Sequence, residues 1–244
     1  QENADVTYYA KWVDDIAPSC SALDARPTYW SAGNGTVTWS MQDEGTGIYS
    51  CKLQRYSYVT RSWTTVWDRN YGGSTSLISN TYTERSEGVF KYKLTINDGE
   101  GNTTTLTSEV IYLDHSNPVI HGLENTVTGW TNVAPRISVN ATDFLSGTTY
   151  EGSRCASIYI YDDQGIIVAN GVNATTFTLT GKYEGIHSWT IICKDMVGHS
   201  SSGSVITKYD CTKPGVDGTE ITDVMLYGTI TSGYCRNNII DQHL

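Results

Sequence analysis

The feature that most constrains the fold is a motif that occurs twice in the chain. Glu87-Gly88 precedes a stretch of alternating residues and an Asp-x-x-Gly turn at 98–101, and the same order returns at Glu184-Gly185 and 195–198. The corresponding residues are 97 positions apart. Because similarity at a fixed spacing is the signature of a repeated structural unit, we predict two copies of one fold.

The stretch between the two anchors predicts a β-strand in each copy. Apolar or aromatic residues alternate there with polar ones, the period of a strand buried on one face. The glycine of the following turn is suited to a positive φ angle. The alternating positions are Phe90, Tyr92, Leu94 and Ile96 in the first copy and His187, Trp189, Ile191 and Cys193 in the second.

A seam that ends in proline separates the copies. Asp14–Pro18 is followed 100 residues later by Asp114–Pro118, and Asp210–Pro214 comes 96 residues after that. This spacing is close to the length of an immunoglobulin-like sandwich. We therefore predict four segments: the end of a preceding β-repeat at 1–13, Ig-like domains at 14–114 and 115–212, and the truncated start of a third module at 213–244.

Other alternating stretches keep the same register and set the fold class. The chain has only 5 prolines but 23 glycines and 17 tyrosines, a composition that favours strands and turns. About seven short strands are expected per copy, with no helical periodicity of useful length. The prediction is an all-β protein of two tandem immunoglobulin-like β-sandwiches. The second inward-facing strand is expected at Val37, Trp39 and Met41 and again at Ile137, Val139 and Ala141.

Charge and hydropathy exclude several partners. The net charge is −10 and lysine and arginine do not cluster, so we expect no nucleic-acid partner. No apolar run approaches the roughly 18 residues that a spanning helix needs, so we expect no membrane insertion. The chain opens without a signal peptide and closes without an anchor motif, and we interpret it as a piece of a longer polypeptide.

The six cysteines have no metal-binding spacing. Cys51 and Cys155 lie at equivalent places ahead of the same strand, and Cys193 falls where the first copy has Ile96. Buried thiols that act as small apolar residues are the favoured interpretation. Disulfides such as Cys155–Cys193 are the alternative, since an exported protein would permit them.

Acidic residues gather near the predicted module ends. An aspartate in an Asp-x-x-Gly turn normally caps its own backbone, so we expect turn capping, with no metal and no cofactor. Calcium between modules is the alternative, because it takes six to eight oxygen ligands. The acids in question are Asp14, Asp43, Glu44, Asp98, Glu100, Asp114, Asp143 and Asp195.

Aromatic residues mark a hairpin in the first copy that the second copy lacks. They surround a turn predicted at 60–62, where they either form cross-strand pairs or offer ring faces to a ligand. We name them as the candidate ligand-binding site for a glycan or a protein. They are Tyr56, Tyr58, Trp63, Trp67 and Tyr71. No catalytic residues are assigned: Glu87 and Glu184 repeat beside glycines, and no nucleophile or zinc-hydrolase motif occurs.

These motifs together resemble one family. Asp-x-x-Ser/Thr-Gly, Glu-Gly-x-Tyr/Trp, Asp-x-x-Gly-Asn/His and a closing Asp-x-Thr-x-Pro are similar to bacterial Ig-like (Big-type) modules, which stand in tandem on surface proteins of Gram-positive bacteria. The resemblance covers about 14–212 and departs at Ile16-Ala17 and at His199. The segment Val6–Trp12 resembles the closing strand of a Listeria–Bacteroides (internalin B-type) repeat.

The resemblance implies an extracellular location, on the bacterial surface or secreted, and a monomer. We expect a non-catalytic stalk or adhesion segment that is not an enzyme. One alternative is a module that binds a host or cell-surface glycan or protein through the aromatic hairpin. Another is an accessory module of a secreted carbohydrate-active enzyme.

Overall fold

The computed structural model describes residues 13–213, and the features predicted for 1–12 and 214–244 lie outside the described residues. The described chain forms two compact units. The first runs to Asn117 and includes Asp143–Arg154 and Asp195–His199, and the second comprises Pro118–Thr142, Cys155–Lys194 and the residues from Ser200. The domain boundaries placed at the seam prolines stay predictions.

The first unit contains ten strands in two sheets. In one sheet β4 pairs with β1, β2 and β7, and the other has the order β3-β10-β8-β5-β6 with β9 also paired to β8. The strands are β1 (Ser19–Cys20), β2 (Asp24–Arg26), β3 (Trp30–Ser31), β4 (Gly35–Gln42), β5 (Ile48–Ser57), β6 (Ser62–Ser74), β7 (Ile78–Glu84), β8 (Gly88–Asp98), β9 (Thr103–Thr107) and β10 (Ile111–Leu113).

The second unit repeats this plan with fewer strands. Its sheets have the orders β11-β12-β15 and β14-β13-β16-β17. Two short 3₁₀ turns, Leu123–Asn125 and Gly181–Tyr183, lie in the connections from β11 to β12 and from β15 to β16. The strands are β11 (Val119–His121), β12 (Arg136–Thr142), β13 (Cys155–Tyr161), β14 (Ile167–Gly171), β15 (Ala174–Thr178), β16 (Gly185–Asp195) and β17 (Ser200–Tyr209).

Each unit has its own core, supplied by alternate residues of facing strands. In the first, β4 contributes Val37, Trp39 and Met41, and β8 contributes Phe90 to Ile96 at every second position. In the second, β12 contributes Ile137, Val139 and Ala141, and β16 contributes Trp189, Ile191 and Cys193. The inward-facing positions predicted for β4, β8 and β12 are thereby confirmed, whereas His187 of β16 is only half-buried.

The predicted fold class is confirmed. Each unit is a sandwich of two sheets, and the described residues contain no α-helix. The turn glycines Gly101 and Gly198 have φ angles of 95° and 101°, as the Asp-x-x-Gly motif predicts, because only glycine adopts this region at little steric cost. No helix in the described part of the chain has the length and apolar character required to cross a membrane.

Candidate functional site

The aromatic hairpin consists of β5 and β6, joined by a turn at residues 58–61. Tyr56 lies opposite Trp63 in the ladder, and their ring centroids are 5.2 Å apart. The ring of Tyr58 meets Tyr56 edge-on at 5.1 Å. Trp63 is 44% exposed and lies beneath the ammonium group of Lys93 at 4.9 Å. We call Tyr56, Tyr58 and Trp63 the outer aromatic group.

The other two predicted residues of the hairpin lie apart from this group. Trp67 packs against the first core, where its ring meets Trp39 edge-on at 5.8 Å. Tyr71 also packs against that core and donates a hydrogen bond to Asn80 Oδ1 at 3.1 Å. The five predicted residues therefore form an outer group of three and an inner pair.

The cause of this division is an irregularity in the β5–β6 pairing. Leu53 pairs with Trp67, but the next residue, Gln54, pairs with Thr65, so β6 has one extra residue at this point. Side chains alternate between faces with a period of two, so one extra residue exchanges the faces. Trp67 thus shares the inward face of Leu53.

A first acidic cluster is formed by Asp14, Asp43 and Asp98, which each offer a carboxylate oxygen within 4.8 Å of the others. Asp14 accepts hydrogen bonds from the backbone N–H of Thr46 at 2.6 Å and from the Thr46 hydroxyl at 3.0 Å. The Thr46 and Ile16 backbone N–H groups hold the pKa of Asp14 below its usual value. Asp43 accepts a bond from Gly47 N–H at 2.6 Å.

Asp98 and Asp195 hold the two repeated turns in the same way. Asp98 Oδ1 accepts the backbone N–H groups of the three residues from Glu100 to Asn102, and Asp195 Oδ1 accepts those from Val197 to His199. The other oxygen of Asp98 accepts Asn102 Nδ2 at 2.7 Å, and that of Asp195 meets His199 Nδ1 at 3.0 Å. The prediction that these aspartates cap their own turns is confirmed.

A second cluster contains Asp114, Asp195 and His199, again with ligand atoms within 4.8 Å of one another. Asp143 lies beside it. Asp114 Oδ2 accepts Ser153 N–H at 2.6 Å, while Asp143 Oδ2 accepts the Ser153 hydroxyl at 3.3 Å and Arg154 N–H at 2.7 Å.

The surroundings of Asp143 disfavour the ionised form of its carboxyl group. Burial first, and then the negative charges of Asp114 and Asp195, raise its pKa to about 6, against the lowering effect of the bond from Arg154 N–H. Ser153 thus bonds two acids that repel each other, Asp114 through its backbone N–H and Asp143 through its hydroxyl. Sequence reasoning named all three acids as turn or seam residues but gave no signal that Asp143 would be buried among the others.

No family model matches the sequence, and no curated protein matches it. Among solved structures, the fibronectin(III)-like modules of Clostridium thermocellum CbhA are 11% identical with a TM-score of 0.30, covering 83% of this chain and 100% of that one.

Two further solved structures are similar at the same level. A tetra-tandem repeat in the extending region of a large adhesion protein is 15% identical with a TM-score of 0.36, covering 80% of this chain and 50% of that one. The three N-terminal domains of the bacteriophage RB49 highly immunogenic outer capsid protein are 11% identical with a TM-score of 0.33. The match covers 77% of this chain and 59% of that one.

Proposed function

We propose that this chain is a non-catalytic spacer in the extracellular part of a bacterial surface or secreted protein, built from tandem bacterial Ig-like modules and present as a monomer. The observation that supports this most is the repetition itself. Two compact units each hold a separate hydrophobic core, and the same capped turn follows the long strand of each sequence copy, at Asp98 and at Asp195.

The proposed mechanism is mechanical. A sandwich that is complete with its own core can be added in series, so that repetition extends a protein without requiring a new fold. Long antiparallel ladders provide resistance to unfolding: β16 and β17 pair continuously from Gly185↔Tyr209 to Lys194↔Ser200. The spacer would hold a distal domain of the parent protein away from the cell wall.

An exchange experiment in the parent protein tests this function. One variant deletes residues 14–212, and a second replaces them with two unrelated β-sandwich domains of equal length. If the segment is a spacer, the replacement retains the attachment of the parent's outermost domain to its target, and the deletion reduces it. A replacement that performs as poorly as the deletion contradicts the spacer and indicates that these residues bind something themselves.

The outer aromatic group supports a second candidate, glycan or protein binding. Tyr56, Tyr58 and Trp63 present adjacent, partly exposed rings, and such rings stack on sugars and anchor partners. Glycan-array binding that disappears in Trp63→Ala would support this candidate. Tyr161→Ala is the matched control, because Tyr159 and Tyr161 form a similar pair in the second copy, 6.2 Å apart.

A third candidate is an accessory module of a secreted carbohydrate-active enzyme. The sequence of the parent protein distinguishes it from the spacer: a catalytic domain in the same polypeptide favours the accessory module, and a wall-anchoring segment favours the spacer.

A further inference from the structure

The two carboxylates of the second cluster and that of the neighbouring Asp143 are withdrawn from water without a strong counter-charge. Asp114 is 0% exposed, Asp143 4% and Asp195 3%. Among the described residues no lysine or arginine forms an ion pair with any of them, and His199 is the one ion-pair partner, at Asp195. Buried charges in proteins are normally paired or coordinate a metal, because an uncompensated buried charge is strongly unfavourable.

One oxygen of this cluster has no hydrogen-bond partner. Asp143 Oδ1 is fully buried and accepts no hydrogen bond, although Oδ2 of the same carboxylate accepts two. Ser153 donates its N–H to Asp114 and its hydroxyl to Asp143, so it fixes the two carboxylates side by side. A buried acceptor without a partner, on a carboxylate that Ser153 links to Asp114, offers a free position to a cation.

The backbone next to these acids leaves space for their approach. A Cβ atom on Gly152 would lie 2.7 Å from Asp114 Oδ2 and 3.1 Å from Asp143 Oδ2. A larger residue would require the Asp114 carboxylate to shift. Gly152 therefore allows both carboxylates to lie close to the backbone.

We propose that Asp114, Asp143, Asp195 and His199 form a binding site for one divalent metal ion. Three carboxylates are the ligands that Ca²⁺ and Mn²⁺ prefer, while the imidazole also admits Zn²⁺. The shared chemistry is a divalent cation that offsets two of the three negative charges. In this proposal Asp143 and Asp195 bind a metal ion in addition to capping turns. This differs from the sequence-based expectation of no metal.

The first cluster also has a close glycine, since a Cβ atom on Gly45 would clash with the Asp14 carboxylate, but it differs in exposure and hydrogen bonding. Asp14 is half-exposed and already accepts three hydrogen bonds, from Ile16 N–H and from both donors of Thr46. No oxygen of Asp14, Asp43 or Asp98 is both buried and without a partner among the described residues. We therefore expect one ion per chain and not two.

Titration calorimetry on the whole chain, stripped with a chelator, tests the proposal with CaCl₂, MnCl₂ and ZnCl₂ in separate runs. At least one of these ions binds with a stoichiometry of one and raises the melting temperature, since a ligand specific to the folded state stabilises it. Asp143→Asn weakens that affinity at least tenfold. Asp24→Asn removes the same charge from an exposed residue of β2 and leaves the affinity unchanged.

Two further variants keep the test independent of folding and identify the ion. Gly152→Ala adds one methyl group beside the carboxylates and weakens binding, while the far-ultraviolet circular dichroism stays that of a β-protein. His199→Asn introduces the residue that the first copy has at Asn102; it retains Ca²⁺ binding if the ion is calcium and abolishes Zn²⁺ binding if it is zinc. Absence of binding for all three ions, or equal affinity in Asp143→Asn, overturns the proposal.

Discussion

The two sandwiches fill equivalent core positions with opposite chemistry. In the first, Val37 of β4 pairs with Tyr82, and Glu84 follows two residues later. In the second, Ile137 of β12 pairs with Phe177, and Leu179 follows two residues later. Glu84 is 2% exposed and Leu179 is 2% exposed, so a carboxylate and an alkyl group occupy the same place in the two cores.

The carboxylate accepts four hydrogen bonds, although Arg55 Nε beside it is buried without a partner. Glu84 Oε2 accepts Arg55 at 2.8 Å and the hydroxyls of Tyr92 and Tyr82 at 3.1 and 3.3 Å, and Oε1 accepts Ser86 N–H. The second core instead packs rings: Trp189, at the position of Tyr92, lies 5.2 Å from Phe177 and 5.0 Å from Tyr183.

This difference teaches that the fold specifies an inward-facing position but not its polarity. A buried charge is tolerated when an opposite charge and hydrogen bonds offset its loss of hydration, and an apolar residue of similar volume serves as well. The first sandwich should therefore be sensitive to loss of a single polar atom, and the second to loss of volume.

The largest effect is expected from Glu84→Ala. Removing one partner of a buried ion pair leaves Arg55 uncompensated and costs about 3–5 kcal/mol. Urea unfolding of the whole chain measures the loss of stability. Hydrogen exchange of the β8 and β16 amides then assigns that loss to the first sandwich. Leu179→Ala is the matched change in the second, where a cavity costs about 2–5 kcal/mol. A loss below about 1 kcal/mol for Glu84→Ala would show that the polar network is not structural.

A second contrast concerns the cysteines. Cys155 and Cys193 Sγ atoms lie 2.7 Å apart in the second core, whereas Cys51 of the first faces Ile96. We predict that an added disulfide oxidant, such as oxidised glutathione, takes two electrons and two protons from Cys155 and Cys193 and links them. The link stabilises the second sandwich by about 2–4 kcal/mol.

Mass spectrometry of peptides and urea unfolding with and without a reductant check this prediction. Cys193→Ala abolishes the effect of the reductant on the second sandwich. Ile96→Cys is the reciprocal change, because it places a thiol opposite Cys51 and should transfer the effect to the first. Equal urea midpoints in both redox states of the natural chain would refute the prediction.

The sequence predicted the fold better than the site. The alternation at Phe90 to Ile96 and the Asp98 turn follow local rules of period and capping, so they could be derived residue by residue. The burial of Glu84 could not, because a carboxylate beside Arg85 in a polar stretch indicates a solvent-exposed position. Its partner Arg55 comes from a different strand and is 29 residues distant.

Prediction of the candidate site was limited by the same lack of information on long-range contacts. A single extra residue in β6 turns Trp67 inward, and no composition or spacing in the hairpin signals it. The position of Asp143 Oδ1 depends on Ser153, which sits in the stretch where the second copy is longer than the first. Local sequence thus predicted which residues are polar or aromatic, and tertiary pairing decided which of them meet.

The polar core also predicts a pH dependence that the apolar core lacks. Burial alone would raise the pKa of Glu84, but the hydrogen bond from Arg55, the N–H of Ser86 and the charge of Arg55 outweigh it, so the pKa lies below its usual value. A carboxylate with a lowered pKa stabilises the folded state above the unfolded-state pKa, near 4.5, and this stabilisation is lost as the pH falls through the folded-state pKa.

The urea midpoint of the first sandwich should therefore fall as the pH is lowered below about 4.5, the ordinary pKa of glutamate. Glu84→Gln removes the titrating group and should flatten this part of the profile. Leu179→Ala in the second sandwich lowers stability without changing its pH dependence. A profile of the first sandwich that is unchanged by Glu84→Gln would mean that other acids determine it.

The smallest effect is expected on the outer aromatic group, which has no counterpart of the same extent in the second copy. Trp63→Ala removes one ring contact with Tyr56 and the Lys93 contact, both at a surface, and costs about 0.5–1.5 kcal/mol. Trp67→Ala, on the inward face of the same strand, costs about 3–5 kcal/mol because it empties part of the core. Urea unfolding of both variants measures the two losses of stability. If Trp63→Ala proved as costly as Trp67→Ala, the outer rings would be part of the structural core, and their exposure would no longer support a binding surface.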